Sequence, residues 1–300
     1  MRRSADGTIY NPTVSTTGPK TIPDPYPAAD YDPALYAGHG EAASVRGFAA
    51  VGPRQIEQYG QDGYLLVRGG FTAKQVAEAC AGVEDMMARR TEGTYELMYE
   101  RVSQQTADEM PGPQRRDLVR KVFHLGGIDP RIDALMCAPD VRRAVERLGF
   151  ANPRVLQSMA LVKAPGGREK PWHQDKAYFN LRPQDRAVGV WIALDRAEVA
   201  NGCMRLMPGM HREPRIHFNR RDWQICDSDI LQLGARCVTA TMDSGDVLFF
   251  DSMLPHGTPR NDTRTRRRAL QFHYVAGDTP DVDERERLAA FGSDGKDVTC

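Results

Sequence analysis

The spacing of apolar positions changes once along the chain. Up to about residue 150, apolar residues recur every three or four positions in several segments, which is the period of an amphipathic helix. Thr72, followed three residues later by Gln75, has the pattern of a helix-capping box. Residues 91–113 are polar and show no clear period. The spacing predicts a strand over 64–67 and helices over 55–59, 72–90, 115–123 and 132–148, the last interrupted near Pro139.

After residue 150 the apolar residues form short runs separated by Gly, Pro, Asn and Asp, as in Ser244-Gly245-Asp246. Such runs are typical of strands joined by turns. They predict strands over 155–164, 188–194, 203–207, 237–242, 246–250 and 267–275. Helices followed by many strands indicate an α+β chain, mainly β, whose strands form a barrel or a double-sheet jelly roll.

The first 45 residues differ from the rest in their richness in Pro, Gly, Tyr and Ala. Because prolines exclude a continuous helix or a central strand, residues 1–45 are predicted to be an extended arm. The arm becomes ordered if it packs on the body or on a partner, which leaves open a homo-oligomer formed through it. Residues 46–285 are predicted to be a single domain with barrel strands from about 155 to 276, and residues 286–300 a C-terminal tail.

Composition excludes several classes of protein. The 300 residues include 40 basic and 40 acidic side chains, so nothing global favours binding to nucleic acid or to an anionic membrane. No segment approaches the roughly 20 apolar residues that span a bilayer, and Arg2 and Arg3 are not followed by the apolar run of a signal peptide. The six cysteines form no C-x-x-C pair and are predicted to be buried thiols in a reducing compartment, by default the cytoplasm.

The most informative motif is Trp172-His173-Gln174-Asp175 together with a distant His256. Residues i and i+2 of a strand point to the same face, so a strand here would present His173 and Asp175 side by side. His256 would then come from the end of another strand. Two imidazoles and one carboxylate suit a non-haem Fe(II) oxygenase, which needs three protein ligands and open positions opposite them.

Arg267 adds a cation that cannot lose its proton and that matches a carboxylate in shape. In a strand it would share a face with Gln271 and His273, and His273 is predicted to be a hydrogen-bonded interior residue and not a metal ligand. Two alternatives remain open: a solvated basic edge at residues 266–268, and a zinc hydrolase that uses the same three ligands without needing Arg267.

The order and spacing of these motifs resemble the phytanoyl-CoA dioxygenase family of Fe(II)/2-oxoglutarate oxygenases over residues 52–276. The resemblance implies a double-stranded β-helix (jelly-roll) core with N-terminal helices packed outside. The matching motifs are Trp172–Asp175 with Tyr178, Asn201–Cys203 through Pro208–His211, Gly245–Phe250, His256-Gly257, Asn261 and Arg267–Ala269.

The resemblance also implies roles for individual residues. His173, Asp175 and His256 would bind Fe(II). Arg267 would bind the C5 carboxylate of the co-substrate 2-oxoglutarate. Three further residues would contact this co-substrate or line its pocket, namely Thr258, Gln157 and Trp191.

The implied reaction consumes O2 and 2-oxoglutarate, releases succinate and CO2, and hydroxylates an unactivated C–H bond of a small molecule. Related halogenases carry Ala or Gly at the position of Asp175, so its presence favours hydroxylation, or desaturation or ring formation by the same oxidant. A catalytically silent metal-binding jelly-roll module is the alternative of a different class.

The substrate is not identified by the sequence. Residues 210–240 are predicted to be a long polar segment that covers the pocket mouth. The segment contains Arg212, Arg215, Arg220 and Arg221, which indicate either an anionic substrate or simply a solvated basic loop.

Overall fold

The computed structural model describes residues 2–3, 9–10, 18–22, 30–100, 104–233 and 236–292. The strands in this part of the chain are β1 Arg2–Arg3, β2 Ile9–Tyr10, β3 Lys20–Ile22, β4 Ser44–Arg46, β5 Tyr64–Arg68, β6 Glu96–Tyr99, β7 Val119–Phe123, β8 Arg154–Lys163, β9 Lys170–His173, β10 Ala187–Ala193, β11 Met204–Leu206, β12 His217–Asn219, β13 Trp223–Ile225, β14 Val238–Ala240, β15 Val247–Asp251, β16 His256–Thr258 and β17 Arg267–Val275.

The helices flank these strands. They are α1 Pro53–Asp62, α2 Ala73–Met87, α3 Gln104–Glu109, α4 Gly112–Asp117, α5 Pro130–Met136, α6 Pro139–Arg147, α7 Asp227–Leu233 and α8 Glu284–Phe291. Short 3-10 helices cover Pro33–Tyr36, Phe48–Ala50, Asp175–Tyr178 and Val199–Asn201.

Two sheets form the jelly-roll core. The major sheet has nine strands in the order β3-β6-β7-β8-β17-β10-β15-β5-β4, and the minor sheet has four in the order β14-β11-β16-β9. Strand β15 shows how the layers are built: Val247 and Phe249 pack into the core beneath the helices, while Leu248 and Phe250 pack between the sheets. Because both faces are covered, β10 and residues 247–250 of β15 are apolar without a break, which is why they are recognisable in the sequence.

Most predicted elements are confirmed within one to three residues at each end. The interruption near Pro139 is confirmed, since α5 ends at Met136 and α6 begins at Pro139. Residues 91–113 contain β6, α3 and the first two residues of α4.

The prediction of a helix over 115–123 is wrong. Helix α4 ends at Asp117, and β7 pairs with β6 from Val119 onwards and with β8 from Lys121 onwards. The β-branched Val119 and Val122 are fully buried in this pairing. Tertiary strand pairing therefore overrides the helical spacing of this segment.

The N-terminal residues that are described pack on the body. Strand β3 lies parallel to β6, and the indole of Trp172 donates to Leu35 O at 2.8 Å. At the other end, α8 crosses the predicted boundary at residue 285, and its Phe291 is buried. Residues 1, 4–8, 11–17, 23–29 and 293–300, on which parts of the arm and tail predictions fall, lie outside the described residues. The division into arm, domain and tail stays a prediction.

None of the helices in the described part of the chain is long and apolar enough to cross a membrane. The five cysteines in that part are free thiols, and Cys300 lies outside it. Cys80 and Cys137 are half-buried, so the prediction of buried thiols holds only for Cys203, Cys226 and Cys237.

Candidate metal centre and co-substrate pocket

Three potential metal ligands meet at the ends of two paired strands. Strand β9 ends at His173, β16 begins at His256, and these two histidines are direct cross-strand partners. The predicted strand position of Asp175 is wrong, because Asp175 opens the 3-10 turn over Asp175–Tyr178. The turn brings its carboxylate back to the histidines, with Oδ1 3.2 Å from His173 Nε2 and Oδ2 3.6 Å from His256 Nε2. The three side chains are buried and their ligand atoms lie within 4.8 Å of one another, so they could hold a metal ion.

Hydrogen bonds and burial prepare both imidazoles for metal binding. His173 Nδ1 lies 2.7 Å from Pro171 O, and His256 Nδ1 lies 2.9 Å from Leu254 O. Since a carbonyl can only accept, each Nδ1 carries the proton and each Nε2 offers its lone pair to the site. Burial lowers the pKa of both rings, that of His256 to about 4, so both are neutral at physiological pH, as metal ligands must be.

The carboxylate of Asp175 is held by two residues of β17. Gln271 Nε2 donates to Asp175 Oδ2 at 3.0 Å, and His273 Nε2 lies 2.8 Å from the same oxygen. His273 is therefore a hydrogen-bonded interior residue, as predicted. Burial raises the pKa of Asp175, but its interactions with the surrounding histidines, among them the hydrogen bond to His273, outweigh burial and hold this pKa well below its usual value. The carboxylate is ionised and fixed in orientation, which a metal ligand requires.

Arg267 and Lys163 place two buried cations a short distance from the triad. They are direct cross-strand partners on β17 and β8, so their side chains share one face of the major sheet. The Arg267 side chain lies 5.5 Å over the ring of Trp191 and donates to Gly202 O, while Lys163 Nζ donates to Thr258 Oγ1 at 2.8 Å.

Burial disfavours the charged form of both side chains. It lowers the pKa of Arg267 to about 10, and burial together with Arg267 holds the pKa of Lys163 well below its usual value. Within the described residues, neither cation has a carboxylate in salt-bridge distance. Since buried charges are stable only when compensated, this geometry favours an anionic ligand such as the distal carboxylate of a dicarboxylic acid.

Lys163 is absent from the sequence-based prediction. Its one local signal is a charge at the end of the apolar run 155–162. The significance of this charge becomes apparent only from the strand register, which places Lys163 opposite Arg267.

One cavity of about 280 Å3 connects these groups. The structure brings every site residue predicted from the sequence to the lining of this cavity, namely His173, Asp175, His256, Arg267, Thr258, Gln157 and Trp191. Gln157 lies opposite His273 in the sheet register, and Trp191 lies opposite Gln271. We call the part bounded by His173 and Arg267 the inner end of the cavity.

The segment 210–240 is more structured than predicted, because it contains β12, β13 and α7. Arg221 is buried and donates to the carboxylates of Glu169 and Asp227, so it is neither solvated nor directed into the cavity. The cavity lining includes none of the four arginines at 212, 215, 220 and 221. The expectation that this cluster would bind a substrate anion is therefore not supported by its position.

Comparison with known proteins agrees with this geometry. A family model described as phytanoyl-CoA dioxygenase matches residues 59–269. The chain is 30% identical over 258 residues to the ectoine dioxygenase of Bordetella parapertussis, covering 78% of this chain and 76% of that protein. It is 30% identical over 158 residues to the peroxisomal phytanoyl-CoA dioxygenase of Bos taurus, and this match spans 48% of the chain and 46% of the relative, less than half of each.

Among solved structures, EctD from S. alaskensis with 2-oxoglutarate and 5-hydroxyectoine superposes with a TM-score of 0.60. The identity is 22%, and the match covers 92% of this chain and 96% of that chain. The carbocyclase SnoK from nogalamycin biosynthesis, described as non-heme and α-ketoglutarate dependent, superposes with a TM-score of 0.62 at 20% identity, over 86% of this chain and 97% of that chain. At these identities the two structures establish the shared double-stranded β-helix fold.

Proposed function

This chain belongs to the phytanoyl-CoA dioxygenase family of Fe(II)- and 2-oxoglutarate-dependent oxygenases, and we propose that it hydroxylates an unactivated C–H bond of a small molecule. The co-products would be succinate and CO2. One observation carries the proposal: a buried set of two neutral imidazoles and one carboxylate shares a cavity with two buried cations that lack a carboxylate partner within the described residues.

The donor set fits the metal. His173, Asp175 and His256 would hold Fe(II), because two nitrogens and one carboxylate oxygen on one side leave open positions on the other. The bound Fe(II) would supply the oxidative chemistry with O2 and 2-oxoglutarate. The protein's own residues would bind and orient the reactants and exclude water from the inner end of the cavity.

The cations fit the co-substrate. Arg267 would pair with the distal carboxylate of 2-oxoglutarate, and Lys163 would compensate the second oxygen from the opposite strand. Thr258 accepts from Lys163 and would hold that ammonium in place. Trp191 would cover the guanidinium, and Gln157 would contribute an amide on the same side of the cavity.

The alternative reactions can be distinguished by their products. Desaturation or ring formation would use the same residues and the same co-substrate, so only product analysis distinguishes them. A silent metal-binding module or a zinc hydrolase would not need the buried cations Arg267 and Lys163, and neither would consume O2. We further propose a reducing, cytoplasmic location and, through the N-terminal arm, a homo-oligomer.

The test is succinate release by the purified chain with Fe(II), 2-oxoglutarate and O2. His173→Ala, Asp175→Ala and His256→Ala should each abolish it and should each reduce Fe(II) binding measured by titration, with little change in the far-UV circular dichroism. His39→Ala, at an exposed histidine outside the cavity, is the matched control and should behave as the wild type. Near-normal turnover in any of the three variants would remove that residue from the ligand set.

A further inference from the structure

A single residue, Gln174, separates the first two metal ligands in the sequence. Its side chain is fully buried and is absent from the described lining of the cavity. The amide nitrogen donates to Glu213 O at 2.9 Å and to Met253 O at 2.6 Å, and the amide oxygen accepts from the backbone N–H of Arg215 at 2.8 Å. The segment that carries the ligands is therefore bound to the part of the chain that leads into β12.

The backbone of Gln174 is held by a histidine outside the ligand set. Its N–H donates to Nε2 of His217, the first residue of β12, at 3.0 Å. His217 Nδ1 lies 2.7 Å from Arg215 O, and because a carbonyl can only accept, the ring proton is on Nδ1. The ring is fully buried, and burial lowers its pKa to about 3. At physiological pH the ring is therefore neutral, and Nε2 remains an acceptor for this N–H.

Aromatic neighbours fix the position of the His217 ring. It stacks on Trp223 of β13 at a centroid distance of 5.8 Å and meets Phe291 of α8 edge-on at 5.7 Å. The hairpin of β12 and β13 also borders the cavity, since Asp222 is part of the cavity lining. Trp223 O accepts from the hydroxyl of Tyr178, which ends the 3-10 turn of the metal site. One hairpin thus contacts both the peptide between the ligands and the turn that follows it.

The hydrogen bond from Gln174 controls the direction of the chain between the two ligands. The donated N–H belongs to the peptide that joins His173, the last residue of β9, to Gln174, and the 3-10 turn begins at Asp175. Rotation of this peptide would move the carboxylate of Asp175 relative to the imidazole of His173. A buried N–H without an acceptor is disfavoured, so loss of His217 Nε2 would favour such a rotation. Metal affinity depends on outer groups that keep the ligands oriented.

We propose that His217 is a positioning residue of the metal centre, which holds His173 and Asp175 in their relative orientation through the N–H of Gln174. This inference rests on the proposed function of the same site. It makes the metal centre and the β12–β13 hairpin interdependent, because the hairpin cannot move away from the cavity without releasing the peptide between the ligands. Coupling of this kind is reciprocal, so metal binding also stabilises the hairpin.

The test is the affinity of the full chain for Co(II), an ion that sites of this donor type bind and whose visible absorption reports the geometry of its ligands. His217→Met removes the acceptor at similar side-chain volume. It should weaken Co(II) binding about tenfold, the lower end of the effect of outer partners, because it acts through a peptide and not on a ligand atom. The absorption of the bound ion should also change. His217→Gln should restore both, since its amide oxygen can take the place of Nε2.

The matched control is Gln224→Met in the same hairpin. Gln224 is fully buried in β13, and its side-chain hydrogen bonds within the described part of the chain go to Arg221 N, Ile225 O and the Asp227 carboxylate. The substitution therefore removes buried hydrogen bonds from the hairpin without removing a contact to the ligand segment. Its thermal midpoint without metal should fall as it does in His217→Met, whereas its Co(II) affinity should stay within threefold of the wild type.

Three results would overturn the proposal: a Co(II) affinity of His217→Met within threefold of the wild type, an equal loss in Gln224→Met, or no recovery in His217→Gln. If His217→Met does not fold, hydrogen exchange in the wild type decides instead. Co(II) should slow exchange over residues 217–225, and an unchanged rate would contradict the coupling. Failure of the proposed function is recognised separately, because the wild type would then bind no metal and release no succinate.

Discussion

Loss of the Arg267 guanidinium is the sharpest test of the co-substrate site. The side chain is 2% exposed and shares the inner end of the cavity with the metal-binding triad. Its flanking arginines are bound elsewhere: Arg266 Nη2 lies 2.9 Å from Asp117, and Arg268 Nη2 lies 2.8 Å from Asp195. Arg267→Ala should therefore weaken 2-oxoglutarate binding, while Arg266→Ala and Arg268→Ala should not.

The expected size follows from burial and from the neighbouring lysine. Removing one partner of a buried, hydrogen-bonded charge pair costs about 2–5 kcal/mol. At roughly tenfold for every 1.4 kcal/mol, this range corresponds to about 30- to 4,000-fold in affinity. Because Lys163 remains directly opposite position 267, the loss should fall in the lower part of the range, about 30- to 300-fold.

The assay is succinate release at increasing 2-oxoglutarate, with direct titration of 2-oxoglutarate into the metal-loaded protein. Arg267→Lys should recover part of the affinity, because it restores the charge without the planar fork of the guanidinium. Combining Arg267→Ala with Lys163→Met should raise the loss beyond that of either single variant, and thermal unfolding of each variant separates binding from stability.

The reasoning would be refuted by a 2-oxoglutarate affinity of Arg267→Ala within threefold of the wild type. A large effect at Arg266 or Arg268 instead would mean that the face of β17 directed into the cavity is assigned wrongly. Arg268→Ala should instead lower the thermal midpoint, since it leaves Asp195 without the guanidinium that it contacts at 2.8 Å.

Two further predictions concern the surroundings of the metal centre. His273→Ala should reduce Fe(II) affinity roughly 10- to 100-fold, because the ring lies 2.8 Å from Asp175 Oδ2 and orients it; an unchanged affinity in a metal titration would contradict this role. The free energy of unfolding should fall as pH drops from about 6.5 toward about 3. Burial lowers the pKa of His217 in the folded protein to about 3, so over this range the unfolded chain binds a proton that the folded protein does not. Thermal midpoints across this range should depend less on pH in His217→Gln, and an equal slope in both proteins would exclude His217 as the cause.

The residues that meet at the inner end could be predicted from the sequence because ligand types and strand periodicity are local properties. His173, Asp175 and His256 supply two imidazole nitrogens and one carboxylate oxygen, whichever elements of the fold carry them. The alternation along β17 determines that Arg267, Gln271 and His273 share a face, whichever strands lie beside it. Strands β10 and β15 were equally recognisable, since burial on both sides makes nearly all of their residues apolar.

Predictions from local sequence patterns were wrong where strand pairing or a turn determined the conformation. Residues 119–123 have a spacing that suits a helix as well as a strand, and the neighbours β6 and β8 select the strand. Asp175 was predicted on a strand with His173, yet it reaches the same point through a 3-10 turn. Its place beside the two histidines was predicted correctly and its element was wrong, because several backbone paths place a carboxylate beside the same imidazoles.

Only the tertiary structure revealed the surroundings of Lys163 and Lys121. Each lies in a strand that also contains an arginine, Arg154 in β8 and Arg120 in β7, and nothing in its local sequence indicates a ligand. The register of β8 against β17 places Lys163 opposite Arg267, and that of β7 against β8 places Lys121 opposite Leu161 on the cavity wall. The sequence by itself determined which residue types and which strand faces were available. The partners of each face depended on pairing between segments about a hundred residues apart in one case and forty in the other, since register is set by the packing of the whole core.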